Sequence, residues 1–90
     1  MTINQDKALV NFKKAQSLMA RIIKMTADQQ YCVDIMQQNL AVIGLLKSAH
    51  QMMMEAHLNS CFAHALQSND KKLKQKMTQE ILQVSKISNK

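Results

Sequence analysis

Two cysteines and one histidine define the chemistry open to this chain. His57 and Cys61 stand four positions apart, so on an α-helix they share one face and could hold a single ion between them. Cys32 precedes them by 25 and 29 positions. At about 100° per residue those offsets amount to roughly −20° and +20°, so the three side chains leave a helix in nearly the same direction. Along a straight helix, however, Cys32 would lie about 40 Å from the other two at 1.5 Å per residue. A site using all three therefore draws its ligands from two chains. Two thiolates and one imidazole form a soft donor set that favours Cu(I), tolerates Zn(II) and does not suit Mg or Ca. The competing reading is that these thiols simply pack, because free cysteines are among the most buried residue types.

Other candidate groups fit structural roles better. His50, His57 and His64 recur every seven residues, and His50 and His64 read as polar-face or interface residues. Met52, Met53 and Met54 offer thioethers, but methionine at helical spacing usually fills gaps in a core. With six acidic residues and one glycine, the chain assembles no phosphate-binding glycine loop, no carboxylate pair at an active site and no Ser/His/Asp arrangement. An enzyme is not expected.

The elements that must position Cys32, His57 and Cys61 follow from apolar spacing. The chain has no proline and a single glycine, and is rich in Ala, Leu, Gln, Lys and Met, all good helix formers. Leu9, Phe12, Leu18, Met19, Ile22 and Ile23 predict a first helix over about residues 7–25. A second apolar stripe from Ile35 to Ala65 predicts one long helix over about 31–66, and Leu73, Met77, Ile81 and Val84 predict a third over about 71–86. Ser68, Asn69 and Asp70 mark the break between these two, each able to cap the helix that follows. The expected fold is an all-α, three-helix protomer forming a single domain over residues 1–90.

A second helix of 36 residues would extend about 54 Å, too far for one short neighbour to cover. Ninety residues also bury proportionally little surface. Both considerations call for a partner chain. If two copies of the long helix pack antiparallel with Cys32 opposite the His57/Cys61 pair, the crossing falls beside Gly44, where the missing side chain permits close approach. One two-fold axis then creates two identical sites, each with Cys32 from one chain and His57 and Cys61 from the other.

Twelve Lys+Arg against six Asp+Glu give a net charge of +6, which suits nucleic acid and also keeps a small protein dispersed. Residues Met1 to Asp6 lack a secretory signal, and no apolar run approaches a membrane span. The expectation is a cytosolic chain that does not enter a membrane and keeps its thiols reduced.

The segments Tyr31-Cys32-Val33-Asp34-Ile35 and Ala56-His57-Leu58-Asn59-Ser60-Cys61 resemble the CsoR/RcnR/FrmR family of small helical repressors over about residues 7–88. The resemblance implies antiparallel dimers that pair into tetramers, with metal ligands shared across the dimer. Within the family, copper sensors keep Cys, His and Cys, as Cys32, His57 and Cys61 do here; nickel/cobalt sensors place histidine where Cys61 stands. Formaldehyde sensors lack the second cysteine, and persulfide sensors lack the intervening histidine. The resemblance further implies that Tyr31, beside the first cysteine, and Glu80, on the third helix, hydrogen-bond near the metal-bound imidazole.

The first helix departs from the family pattern. Lys14-Ala15-Gln16-Ser17-Leu18 stands where the family typically reads Arg-Ile-Glu-Gly-Gln, Asn11 replaces an arginine expected at the start of the same helix, and Ser48 replaces one expected on the second. Lys13, Lys14, Arg21, Lys24 and Lys47 still supply positive charge, which gives salt-sensitive phosphate affinity without base readout. The leading expectation is a Cu(I)-responsive, DNA-binding transcriptional repressor, acting as a homodimer or homotetramer, that leaves operator DNA when metal binds. A copper buffer or carrier without operator binding is one alternative. A thiol-based persulfide or oxidant sensor is another.

Overall fold

In a computed structural model that describes residues 2–85, the chain forms α1 (Ile3–Ala27), α2 (Cys32–His57), a π-helical turn (Leu58–Phe62), α3 (Ala63–Gln67) and α4 (Lys71–Val84). No strand occurs among the described residues, so the architecture is all-α as expected. The chain divides into two compact units, residues 1–53 and 54–90.

The first unit holds α1 and most of α2. Helix α1 starts four residues earlier than its apolar pattern indicates, because Thr2 and Gln5 form a reciprocal cap. The Thr2 hydroxyl accepts from Gln5 N–H at 3.0 Å and the Gln5 carboxamide accepts from Thr2 N–H at 2.8 Å, satisfying two otherwise unpaired donors. At the far end the polar run beginning at Thr26 does not stop the helix at once. The Thr26 hydroxyl donates to the Ile22 carbonyl at 2.8 Å, and termination comes with Gln29, whose φ is 55°. Gln30 N–H then donates to Met25 C=O at 3.0 Å and Gln29 N–H to Thr26 C=O at 3.1 Å, the paired bonds of a Schellman ending.

The buried residues of this unit are small. Ala8 and Ala15 on α1, and Val42 and Ala49 on α2, are buried at seven-residue spacing. Small side chains at that interval permit close helix approach, and many larger apolar groups stay exposed. Val33, Met36, Leu40 and Ile43 consequently form an uncovered stripe on α2, with Leu40 66 % exposed. A Cβ built on Gly44, beside that stripe, would meet nothing within 4 Å.

The second unit contains the end of α2, the π turn, α3 and α4. The sequence predicts an uninterrupted α-helix through residue 66; instead the Ser60 hydroxyl donates to the Ala56 carbonyl, and Ala63 N–H reaches back five residues to the Leu58 carbonyl. A hydroxyl bonded four residues back competes with the backbone for that carbonyl and favours local distortion. The break before α4 lies at the expected polar residues. Ser68 donates its hydroxyl to Ala65 C=O at 2.7 Å, and the Asp70 carboxylate accepts from Leu73 N–H at 3.1 Å as the N-cap.

Helix α4 packs against α3. Its half-buried face carries Lys74, Met77, Glu80 and Ile81, whereas Leu73 and Val84, expected among its apolar contacts, are exposed. The predicted helix end at Lys86 lies outside the described residues. No helix among those described is long and apolar enough to cross a membrane.

Candidate metal centre and nucleic-acid interface

Cys32 is the first residue of α2, and its free thiol is exposed. The helix begins here because the Tyr31 carbonyl already accepts from Asp34 N–H at 3.1 Å and Ile35 N–H at 3.3 Å. Tyr31 itself is 67 % exposed, so its phenol and the neighbouring thiol are both open to another molecule. Both groups belong to the first unit.

His57 and Cys61 belong to the second. His57 closes α2 and is half-buried, with its ring centroid 6.4 Å from that of Phe62 at an interplanar angle of 48°. Cys61 lies inside the π turn with a free, exposed thiol. The Ser60 oxygen is 3.8 Å from Cys61 Sγ. A hydroxyl has one hydrogen, so Ser60 donates either to the Ala56 carbonyl or to the Cys61 sulfur at any moment. The π turn also alters the step between the two candidate donors: the α-helical angle that placed Cys61 on the face of His57 does not hold within it.

Among the described residues, no three His, Cys, Asp or Glu side chains of one chain gather into a group able to hold a metal ion. The donor types nonetheless fit a soft ion, since both thiols are free and exposed and the imidazole stands four residues from one of them. Glu80 sits on the half-buried face of α4 with Met77 and Ile81.

The basic residues are better gathered. Lys13, Lys14 and Arg21 line an open groove of about 520 Å³ with Val10, Ser17 and Leu18 of α1 and Leu45 of α2. Arg21 also borders a second hollow of about 320 Å³, lined by Lys24, Met25, Gln30 and Gln38. Four of the five predicted basic residues thus follow one side of α1 and meet α2 there, within the first unit. Lys47 borders neither hollow. Gln30 and Gln38 had not been singled out, since uncharged amides without periodic spacing carry no signal in a linear sequence. Ser60 was missed as well, although it directly precedes a candidate ligand.

Residues 4–87 match the family described as metal-sensitive transcriptional repressor. Among curated proteins, the chain is 36 % identical over 66 residues to a copper-sensing transcriptional repressor CsoR of Mycobacterium ulcerans, covering 73 % of this chain and 56 % of the relative. It is 33 % identical to the CsoR of Mycobacterium tuberculosis over the same shares, and 30 % identical to that of Bacillus subtilis, where 65 % of the relative is covered. The chain therefore spans somewhat more than half the length of these relatives. No solved structure matches it significantly.

Proposed function

Since the chain belongs to the family of metal-sensitive transcriptional repressors, we propose that it is a copper(I)-responsive repressor that binds operator DNA without metal and releases it when Cu(I) is held by Cys32, His57 and Cys61. The family is one of regulators and not of enzymes. The observation that carries this reading is the pair of free, exposed cysteines, one opening α2 and one beside its end, with His57 four residues from the second.

Soft thiolates select Cu(I) over hard cations, and a neutral imidazole completes a three-donor set. The ligands come from two chains, which makes occupancy of the site a property of the dimer. The uncovered Val33, Met36, Leu40 and Ile43 stripe supplies an apolar surface for that dimer, and Gly44 offers the close crossing. Tyr31 and Glu80 act as acceptors or donors that orient the imidazole, because a metal-bound histidine generally gives its second N–H to such a partner.

DNA contacts come from the strip formed by Lys13, Lys14, Arg21 and Lys24, with Lys47 adding charge on α2. Lysines supply phosphate affinity and leave base readout to other groups. Metal and DNA are coupled when the dimer geometry that closes the shared site differs from the one that fits the duplex, and such coupling is reciprocal.

The test is an anaerobic titration of the reduced protein with Cu(I) against a competing chelator, followed by DNA binding to the region upstream of its own gene with and without the metal. One ion per chain and an affinity for DNA that falls on copper addition are expected. Equal DNA affinity in both states would remove the repressor mechanism. Copper binding without any DNA affinity would favour a buffer or carrier, a reading motivated by the altered first helix, where Ser17 and Leu18 line the basic groove.

A further inference from the structure

The hollow shared by the end of α1 and the beginning of α2 has a lining that charge alone would not have identified. Two cations, Arg21 and Lys24, two carboxamide residues, Gln30 and Gln38, and the apolar Met25 line it; no carboxylate is among them. From this arrangement we infer that the hollow is a seat for one backbone phosphate of DNA, in which Gln30 and Gln38 donate hydrogen bonds and fix the register of the duplex on the protein. The inference rests on the DNA-binding reading proposed above.

Three observations support the seat. Its walls are held in place before any ligand arrives: Gln30 N–H is tied to the Met25 carbonyl at 3.0 Å by the helix ending, so the residue enters the hollow from a fixed backbone. Gln38 is half-buried, whereas its neighbour Gln37 is exposed and outside the lining. Arg21 borders both this hollow and the groove that contains Lys13 and Lys14, so the seat continues a longer basic strip. A free anion would need only the hollow; a strip of this kind suits a polyanion whose successive phosphates contact several cations. Carboxamide donors on phosphate oxygens position a duplex without reading its bases. They would supply hydrogen-bonding geometry that lysines alone, as flexible point charges, do not.

The seat is tested with Gln38→Glu and Gln30→Glu variants, each placing a carboxylate where a phosphate would sit. Gln37→Glu is the control, since it makes the same change in net charge outside the hollow. Binding to a duplex from the region upstream of its own gene is measured for all three at two salt concentrations, with circular dichroism as the check on folding. The Gln38→Glu and Gln30→Glu variants should each lose about tenfold or more in affinity, as expected for the loss of a hydrogen bond to a charged group. The Gln37→Glu variant should lose no more than about threefold, the effect of one solvent-exposed charge that occupies no phosphate position. Equal losses in all three would overturn the seat while leaving DNA binding intact. Should the wild-type protein bind no DNA, the functional reading fails and the seat fails with it. If one seat variant does not fold, the other still decides the question, because Gln30 lies in the exposed turn and Gln38 within α2.

Discussion

The Ser60 hydroxyl donates to the Ala56 carbonyl and so occupies the backbone acceptor at the start of the π turn that carries Cys61. The distortion lies between the two residues proposed to share an ion, His57 and Cys61. Ser60 also sets a polar oxygen 3.8 Å from the Cys61 sulfur.

Replacing Ser60 by alanine removes the competing hydroxyl and favours a regular α-helical turn. The Ser60→Ala variant should retain its helical circular dichroism and lose about 10- to 100-fold in Cu(I) affinity, the range for groups that orient metal ligands. Competition with a Cu(I) chelator measures this directly. Unchanged affinity would mean that the π turn has no part in positioning Cys61.

Shared ligation makes an unusual prediction for mixed dimers. Neither Cys32→Ala nor Cys61→Ala homodimers should bind Cu(I) tightly. When the two variants are mixed, the heterodimer retains one complete site, with Cys32 from one chain and His57 and Cys61 from the other. About half the wild-type stoichiometry per dimer should return in the purified heterodimer. No recovery would place all the ligands within one chain, and tight binding by either homodimer would exclude the cysteine it lacks.

The uncovered stripe on α2 should hold the dimer together. Leu40→Glu places a charge on the most exposed side chain of that stripe, and burying an unpaired charge is far costlier than burying leucine is favourable. Gly44→Leu adds bulk where the single chain offers open space, so only a partner helix would oppose it. Both variants should shift light-scattering mass toward the monomer, and Gly44→Leu should also remain helical, since leucine is the better helix former. A Gly44→Leu protein that remains fully associated would place the helix crossing elsewhere.

Gln29 adopts the left-handed conformation at the end of α1 with a φ of 55°. A side chain there costs about 1–2 kcal/mol relative to glycine. Gln29→Gly should therefore raise stability by about 0.5–1 kcal/mol after allowing for the greater freedom of glycine in the unfolded chain. Denaturant unfolding at fixed protein concentration checks the shift, and a destabilised variant would show that the Gln29 side chain makes a contact of greater value.

Local features of the sequence determined much of this molecule. Apolar residues at three- and four-residue intervals, the near absence of glycine and proline, and the polar break at Ser68–Asp70 lead to an all-α chain, since each acts within one or two helical turns. The Cys-His-Cys spacing and the surrounding segments were likewise legible as a family pattern, and Thr2 and Gln5 carried a capping signal that the apolar period did not register.

Tertiary structure decided the rest. Which apolar residues are covered depends on the neighbour, so Ala8, Ala15, Val42 and Ala49 are buried within the first unit while Leu40 is left exposed. Gln30 and Gln38, eight positions apart with no shared periodicity, face one hollow because the Gln29 turn brings the start of α2 beside the end of α1. The π turn, in which Ala63 N–H reaches back five residues to the Leu58 carbonyl, leaves no mark in the apolar spacing. Spacing in a sequence records helical faces, whereas hollows and burial depend on atoms that meet only after the chain has folded.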